Sequence, residues 1–183
     1  MPKIIARKED WVKLGYQQFS KSGVSGIVIE KMAKKLKVNK SSFYWHFSTK
    51  EAFIQAIIDY WESESTSKVI SMVSIEATPE DRFDKLIELS FLKDNLLDFF
   101  FYLKKYARTK EKLALKMRDL DNQRIKFTAE ILEDIGFSSS ESKTKSSIFY
   151  KYLIGYHEMI RHREQSQDYI AEVKNELRHF IKY

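Results

Sequence analysis

Cysteine is absent from this sequence of 183 residues, and proline and glycine are scarce, with two and five copies. The absence of cysteine excludes a disulfide scaffold, a thiolate nucleophile and cysteine-ligated metal sites. The scarcity of proline and glycine disfavours an all-β sandwich or barrel, because such folds need a turn about every ten residues. Hydrophobic residues make up 43% of the chain and charged residues 32%, as is typical of globular domains. The composition therefore indicates a globular and mostly helical protein.

Long apolar segments are also missing. The longest nearly apolar stretch, Leu96 to Leu103, is interrupted by Asp98 and is too short to cross a bilayer. The N-terminal segment becomes charged within ten residues, which does not fit a signal peptide. The sequence therefore predicts a cytoplasmic protein that has no membrane partner.

Positive charge is concentrated at the N-terminus. The first 50 residues hold 11 Lys and Arg and 3 Asp and Glu, whereas the remaining 133 residues carry a net charge of −2. A basic unit on a near-neutral body indicates contact with a polyanion, most often nucleic acid. A membrane surface would also fit the charge alone.

Hydrophobic periodicity and capping residues predict nine helices and no strand. The division of charge and motifs predicts two domains, residues 1–50 and residues 51–183. The expected fold class is all-α, with a helix-turn-helix unit before a larger helical domain. The predicted helices span about 3–22, 28–36, 40–46, 49–74, 79–90, 92–107, 110–135, 140–164 and 167–181.

The second and third helices have the pattern of a helix-turn-helix. In that motif the first helix packs by an apolar face, and the short second helix keeps its outer face free for the major groove. Val38 fills the turn and Asn39 is expected to cap the short helix, while Phe43 and Phe47 point inward. The packing face comprises Ile29, Met32, Ala33 and Leu36, and the free face comprises Lys40, Ser41, Ser42, Trp45 and His46.

The stretch from Ile29 to Ile57 resembles the DNA-binding domain of the TetR family of transcriptional regulators. The resemblance implies a three-helix DNA-binding domain over roughly residues 5–58, followed by a larger helical domain for ligand binding and dimerisation. It also implies repression that a small molecule usually relieves. The matching segments are Met32-Ala33, Val38-Asn39-Lys40, Phe43-Tyr44-Trp45-His46-Phe47 and Lys50-Glu51-Ala52.

Three positions depart from the family pattern. Val28 stands where the family often has threonine, which removes one expected phosphate contact. Lys37 stands where the turn usually has glycine, and a left-handed lysine there would cost about 1–2 kcal/mol. Ser41 replaces a common glycine. We expect these changes to alter operator contacts without changing the fold.

The resemblance implies that Tyr44 and Lys50 contact phosphates. We expect the free face of the short helix to reach base edges or the backbone, although partial burial against the first helix is the alternative for Trp45. The N-terminal bases could reach the minor groove or phosphates. The complete candidate set is Lys3, Arg7, Val28, Asn39, Lys40, Ser41, Ser42, Tyr44, Trp45, His46 and Lys50.

The middle of the chain is rich in aromatic residues. Core packing explains most of them, but a subset could line a pocket for an apolar or aromatic ligand with one or two polar groups. The candidates are Phe99, Tyr102, Tyr106, Phe127, Tyr152 and Tyr156.

The last two helices carry apolar seams that predict a symmetric four-helix interface in a homodimer. The alternative is that both seams face the core of their own chain. The candidate interface residues are Ile148, Gly155, Met159, Ile170, Val173, Leu177 and Phe180.

No pattern in the sequence indicates catalysis, a cofactor or a metal. His157 and His162 are five residues apart, whereas the zinc peptidase motif needs a spacing of four. We therefore expect a sequence-specific regulator that binds an operator in double-stranded DNA, and not an enzyme. An architectural DNA-binding protein without sequence preference is the first alternative, and a helical metal-binding enzyme is the second.

Overall fold

The computed structural model describes residues 6–92, 98–160 and 165–182, and these residues form α-helices and turns without any strand. The all-α fold class is confirmed. The helices are α1 (Lys8–Ser22), α2 (Ile29–Lys35), α3 (Ser41–His46), α4 (Lys50–Glu62), α5 (Lys68–Ser74), α6 (Pro79–Ser90), α7 (Asp98–Ala107), α8 (Glu111–Ile135), α9 (Ser139–Ile160) and α10 (Tyr169–Ile181).

Helix α1 begins later than the expected residue 3. Arg7 has extended backbone angles and is the N-cap, and its backbone N–H donates to the Asp10 carboxylate at 2.9 Å. This bond satisfies a backbone donor that the helix itself leaves unpaired. Arg7 is exposed, whereas Lys3 lies outside the described residues.

The turn between α2 and α3 is closed by backbone hydrogen bonds. Lys37 adopts the left-handed conformation (φ 56°), and the Val38 N–H donates to the Ala33 carbonyl at 3.0 Å. The Asn39 side-chain oxygen accepts from the Ser41 N–H at 3.0 Å. The left-handed lysine is thus present, whereas Lys40, and not Asn39 as expected, is the N-cap of α3.

Aromatic rings hold α3 in place. The Phe43 ring lies 5.3 Å from the Trp11 ring and 5.1 Å from the Phe53 ring, with edge-to-face geometry. The Phe47 and Phe53 rings are 4.7 Å apart. Phe43 and Phe47 are both buried, as predicted. Rings from α1 and α4 thus contact the buried face of α3 and orient this helix.

The long helix expected over residues 49–74 is interrupted. Thr49 caps α4, since its hydroxyl accepts from the Ala52 N–H at 3.0 Å. A π-helical turn, Ser63–Ser67, then separates α4 from α5. The path of the chain is helical throughout, but it is not one regular helix.

The remaining helices agree with the expected limits where the structure describes them. Thr78 caps α6 by accepting from the Asp81 N–H at 3.1 Å, and Gly136 (φ 116°) ends α8. The expected start of the helix at residue 92 falls partly on residues 93–97, which lie outside the described part. Residues 161–164, at the expected end of α9, also lie outside the described part.

The chain forms two compact units. One contains Met1–Glu64 and Asn95–Glu111, and the other contains Ser65–Asp94 and Lys112–Tyr183. This packing does not follow the boundary at residue 50, because α4 and α7 both pack on α1. As a division of function, the boundary at residue 50 stays a prediction.

The second unit has its own apolar core, which buries side chains from five helices. Through this core, α5, α6, α8, α9 and α10 pack against one another. Its buried members are Val73, Phe83, Leu86, Ile87, Phe91, Ile131, Leu132, Phe149, Val173, Leu177 and Ile181.

Candidate nucleic-acid interface

Helix α3 presents two aromatic side chains to the outside. Trp45 is 87% exposed and Tyr44 is 56% exposed, while Phe43 and Phe47 on the opposite side are buried. The alternative that Trp45 is buried against α1 is therefore wrong. Two exposed aromatic rings with an indole N–H and a phenol O–H can stack and donate hydrogen bonds at a nucleic-acid surface.

Lys40 is less free than expected. Its ammonium group donates to the Glu30 carboxylate in α2, and it lies over the Tyr44 ring at 6.0 Å from the centroid. The hydrogen bond between Glu30 and Lys40 lowers the pKa of the Glu30 carboxyl and raises the pKa of the Lys40 ammonium. Both groups therefore stay charged at neutral pH.

Two further residues of the predicted free face have partners or burial that the sequence did not indicate. The His46 Nε2 atom lies 2.8 Å from the Ala6 carbonyl oxygen. The Ser42 hydroxyl is buried and has no hydrogen-bond partner among the described residues. The expectation that the His46 and Ser42 side chains are free is therefore wrong. Ser41 and Asn39 are exposed.

Positive charge surrounds α3. Lys50 lies in the first turn of α4, beside unpaired backbone N–H groups that favour an anion. Val28 precedes α2 and makes no side-chain cap, and the loss of one phosphate contact there stays a prediction. Exposed lysines continue along α2 and its turn, and these are Lys31, Lys34, Lys35 and Lys37.

The six aromatic residues predicted for a ligand pocket are divided between the two units. Phe99, Tyr102 and Tyr106 lie on α7 in the first unit, and the other three, Phe127, Tyr152 and Tyr156, lie in the second unit. The structure therefore does not bring the six together within either unit.

Two of the α7 aromatics are part of the first unit's packing. The buried Phe99 ring lies 4.7 Å from Phe19 and 5.5 Å from Trp61. The Tyr102 hydroxyl donates to the Lys21 carbonyl at 3.2 Å. Phe99 thus contributes to the core of the first unit, and its place in a ligand pocket stays a prediction.

The candidate dimer residues also separate into two groups. Val173 and Leu177 are buried in the core of their own unit, which corrects their assignment to an interface, and Ile170 packs against that core. The exposed group retains an apolar face, and its members are Ile148, Gly155, Met159 and Phe180. The amphipathic pattern of α10 therefore results mainly from packing in the core of its own unit.

Sequence reasoning missed a polar cluster in the second unit. The Arg124 guanidinium donates to Thr66 Oγ1 at 2.6 Å and to Ser65 Oγ at 3.2 Å, so it holds the π turn. Nearby, the Tyr150 hydroxyl donates to Asp121 at 2.5 Å. Burial raises the pKa of Tyr150 to about 12, with a further contribution from Asp121. No local pattern marks these residues, because their partners are up to 59 positions apart.

Neither a metal site nor a membrane span is present in the part of the chain that the structure describes. Those residues contain no group of three or more histidines and carboxylates that could hold a metal ion, and His162 lies outside them. None of their helices is long and apolar enough to span a bilayer.

Together, these features define a class of protein. It is an all-α protein whose first unit places a short helix, with exposed aromatic side chains and basic neighbours, in a helix-turn-helix. The family described as bacterial regulatory proteins, tetR family, matches residues 12–57, which include α2, α3 and most of α4.

Known proteins share both the sequence segment and the fold. The class G tetracycline repressor protein of Vibrio anguillarum is 27% identical over 88 residues, which are 48% of this chain and 37% of that protein. Alignments with the curated relatives each span less than two fifths of the relative's length.

Solved structures match over most of the chain. A transcriptional regulator from Saccharomonospora viridis, in complex with choline, has a TM-score of 0.80 at 12% identity and covers 96% of this chain and 95% of its own. AibR, in complex with isovaleryl coenzyme A and operator DNA, has a TM-score of 0.72 at 15% identity, with 96% and 99% covered. Residues 12–57 thus match the tetR family, and the solved structures share the fold of the chain.

Proposed function

We propose that this protein is a sequence-specific DNA-binding transcriptional regulator of the repressor type. The observation that carries the proposal is the exposure of Tyr44 and Trp45 on α3, within the segment that matches the family. The net positive charge of the first 50 residues supplies the attraction to DNA that any such contact needs. Because its target is chromosomal DNA, we place the protein in the cytoplasm.

The proposed contacts follow from the geometry of the first unit. Lys50, at the N-terminus of α4, and Tyr44 bind phosphates and set the position of α3 on the duplex. Trp45 and Ser41 then face base edges in the major groove. His46 holds the segment at Ala6 beside α3, so that Arg7 lies near the same surface.

We further propose that the regulator acts as a homodimer on a palindromic operator. Two identical reading helices related by a twofold axis match two half-sites about one helical turn apart. The exposed apolar residues of α9 and α10, Met159 and Phe180 among them, are the proposed interface. No catalytic role is proposed, because regulators of this family act by binding.

A small molecule is proposed to release the DNA. Support comes from two proteins of the same fold, one bound to choline and the other to isovaleryl coenzyme A. The aromatic content of the second unit suits an apolar or aromatic ligand. Such a ligand must bind less tightly when operator is present, because coupling between sites is reciprocal. Equal affinity of the ligand with and without operator would exclude this switch.

The experiment that tests the proposed function is selection of binding sites from a random pool of duplex DNA. We expect enrichment of a palindrome whose half-sites are about 10 base pairs apart. Uniform enrichment of all sequences would instead identify an architectural DNA-binding protein.

A further inference from the structure

An acidic side chain lies within the basic surface around α3. Glu30 is in the first turn of α2, and its carboxylate accepts a hydrogen bond from the Lys40 ammonium across the turn of the motif. Glu9, Asp10 and Glu30 are the only acidic residues among the first 50. Among the described contacts of these three residues, the Glu30 carboxylate forms an ion pair with Lys40, whose side chain is a candidate DNA contact.

The pair is an exposed feature and not part of the core. The Lys40 side chain is 45% exposed and the Glu30 side chain 58% exposed, so neither is needed to fill space. Backbone bonds and Asn39 already close the turn without them. An exposed ion pair adds little to stability, and a role in packing therefore does not account for it.

The pair changes what Lys40 can offer to DNA. A lysine that contacts a phosphate displaces a condensed counterion, which raises affinity for every sequence equally. If Lys40 left Glu30 for a phosphate, the Glu30 carboxylate would remain without its partner beside a polyanion. The pair therefore makes a phosphate contact by Lys40 less favourable.

We propose that Glu30 limits sequence-independent DNA affinity by holding Lys40 away from the phosphates. The inference rests on the proposed function, since it assumes that α3 faces DNA. Discrimination then depends on the exposed side chains of α3 that are not held in this way, Trp45 above all. The pair thus keeps one lysine from strengthening binding to every sequence, the operator included.

The test is a double-mutant cycle with Glu30→Gln, Lys40→Met and the double variant, measured on a duplex of random sequence over a series of salt concentrations. Glu30→Gln should steepen the salt slope by about one ion and raise affinity about fivefold at about 0.15 M salt, from the slope of about 0.9 per phosphate contact. Lys40→Met alone should leave the salt slope of the wild type unchanged. When it is added to Glu30→Gln, it should remove the extra ion.

Glu9→Gln is the matched control, because it removes one exposed carboxylate from the same basic unit without releasing a lysine near α3. We expect it to leave the salt slope unchanged. Equal thermal unfolding of all the variants shows that folding is intact. The ratio of affinities for the selected palindrome and the random duplex should stay the same in all the variants, because a phosphate contact raises affinity for every sequence equally.

Two results would overturn the inference. Loss of one ion from the slope on Lys40→Met in the wild-type background would mean that Lys40 already contacts a phosphate. An unchanged slope in Glu30→Gln would mean that the pair does not restrain Lys40. Failure of the wild type to bind any duplex is a different outcome, because it removes the proposed function itself and this inference with it.

Discussion

The side chains in and next to α3 differ in what holds them. Phe43 and Phe47 are fixed by rings from α1 and α4, His46 by the carbonyl of Ala6, and Trp45 extends from the surface. A short helix of six residues has little stability of its own, so its geometry depends on these contacts. The buried side chains therefore orient the exposed ones.

At the residue scale, Lys50→Ala should weaken binding to all duplex sequences alike and flatten the salt slope by about one ion. The reason is that Lys50 offers charge to a phosphate and reads no base. Titrations at several salt concentrations measure the slope. Lys143→Ala, an exposed lysine of α9, is the control and should change neither quantity. If Lys50→Ala behaves like this control, the placement of the motif on DNA is wrong.

The sequence predicted which aromatic residues around α3 are buried, because Phe43 and Phe47 are four positions apart on one helical face. It could not predict the partners of Lys40 and His46. The Ala6 carbonyl is 40 positions from His46 in the chain, and periodicity carries no information about such a contact. The same holds for the burial of the Ser42 hydroxyl.

At the scale of elements, the π turn Ser63–Ser67 is the irregular part of the helical path from α4 to α5. Its bond to Arg124 brings α8 into contact with it through a side chain. Wide turns of this type are uncommon and need such support. The turn is thus stabilised by a side chain from elsewhere in the sequence and not by its own residues.

We expect Arg124→Met to lower the free energy of unfolding by about 2 kcal/mol, because it leaves the buried Thr66 hydroxyl without its donor. Chemical denaturation measures the loss, and hydrogen exchange should show faster exchange at residues 63–67. The control is Lys126→Met on the same helix, which is 80% exposed and should change stability by less than about 0.5 kcal/mol. Equal effects of the two changes would contradict the role given to Arg124.

Helix limits were predictable from the sequence where a strong cap was present. Thr78 before Pro79 marks the start of α6, and Gly136 marks the end of α8. Where two capping residues are adjacent, as at Ser48 and Thr49, the sequence does not decide which of them is the cap, and the structure has Thr49. The π turn could not be predicted, because its Ser-rich residues continue an ordinary helical pattern.

At the scale of the whole molecule, an apolar stripe on a helix does not reveal which surface covers it. Val173 and Leu177 share the pattern of α10 with Phe180, yet the first two are buried in their own unit and Phe180 is 58% exposed. The same amphipathic helix can therefore serve an internal core on one face and a partner on another. Only the packing separates these roles.

The exposed residues give a test of the proposed dimer. Met159→Glu combined with Phe180→Glu should convert the dimer into a folded monomer, because two buried charges oppose their copies across a twofold axis. Sedimentation equilibrium measures the mass. Ile75→Glu, at an exposed apolar residue outside α9 and α10, is the control and should remain dimeric. A double variant that still sediments as a dimer would exclude this interface.

The central claim is that Trp45 on α3 reads DNA sequence. The most direct measurement compares wild type and Trp45→Ala for affinity to the selected palindrome and to a random duplex, with unfolding measured in parallel. Because Trp45 is 87% exposed, stability should change by less than about 0.5 kcal/mol. We expect the preference for the palindrome to fall at least about fivefold, while affinity for the random duplex changes little. A stable Trp45→Ala protein that keeps the full preference would contradict the account.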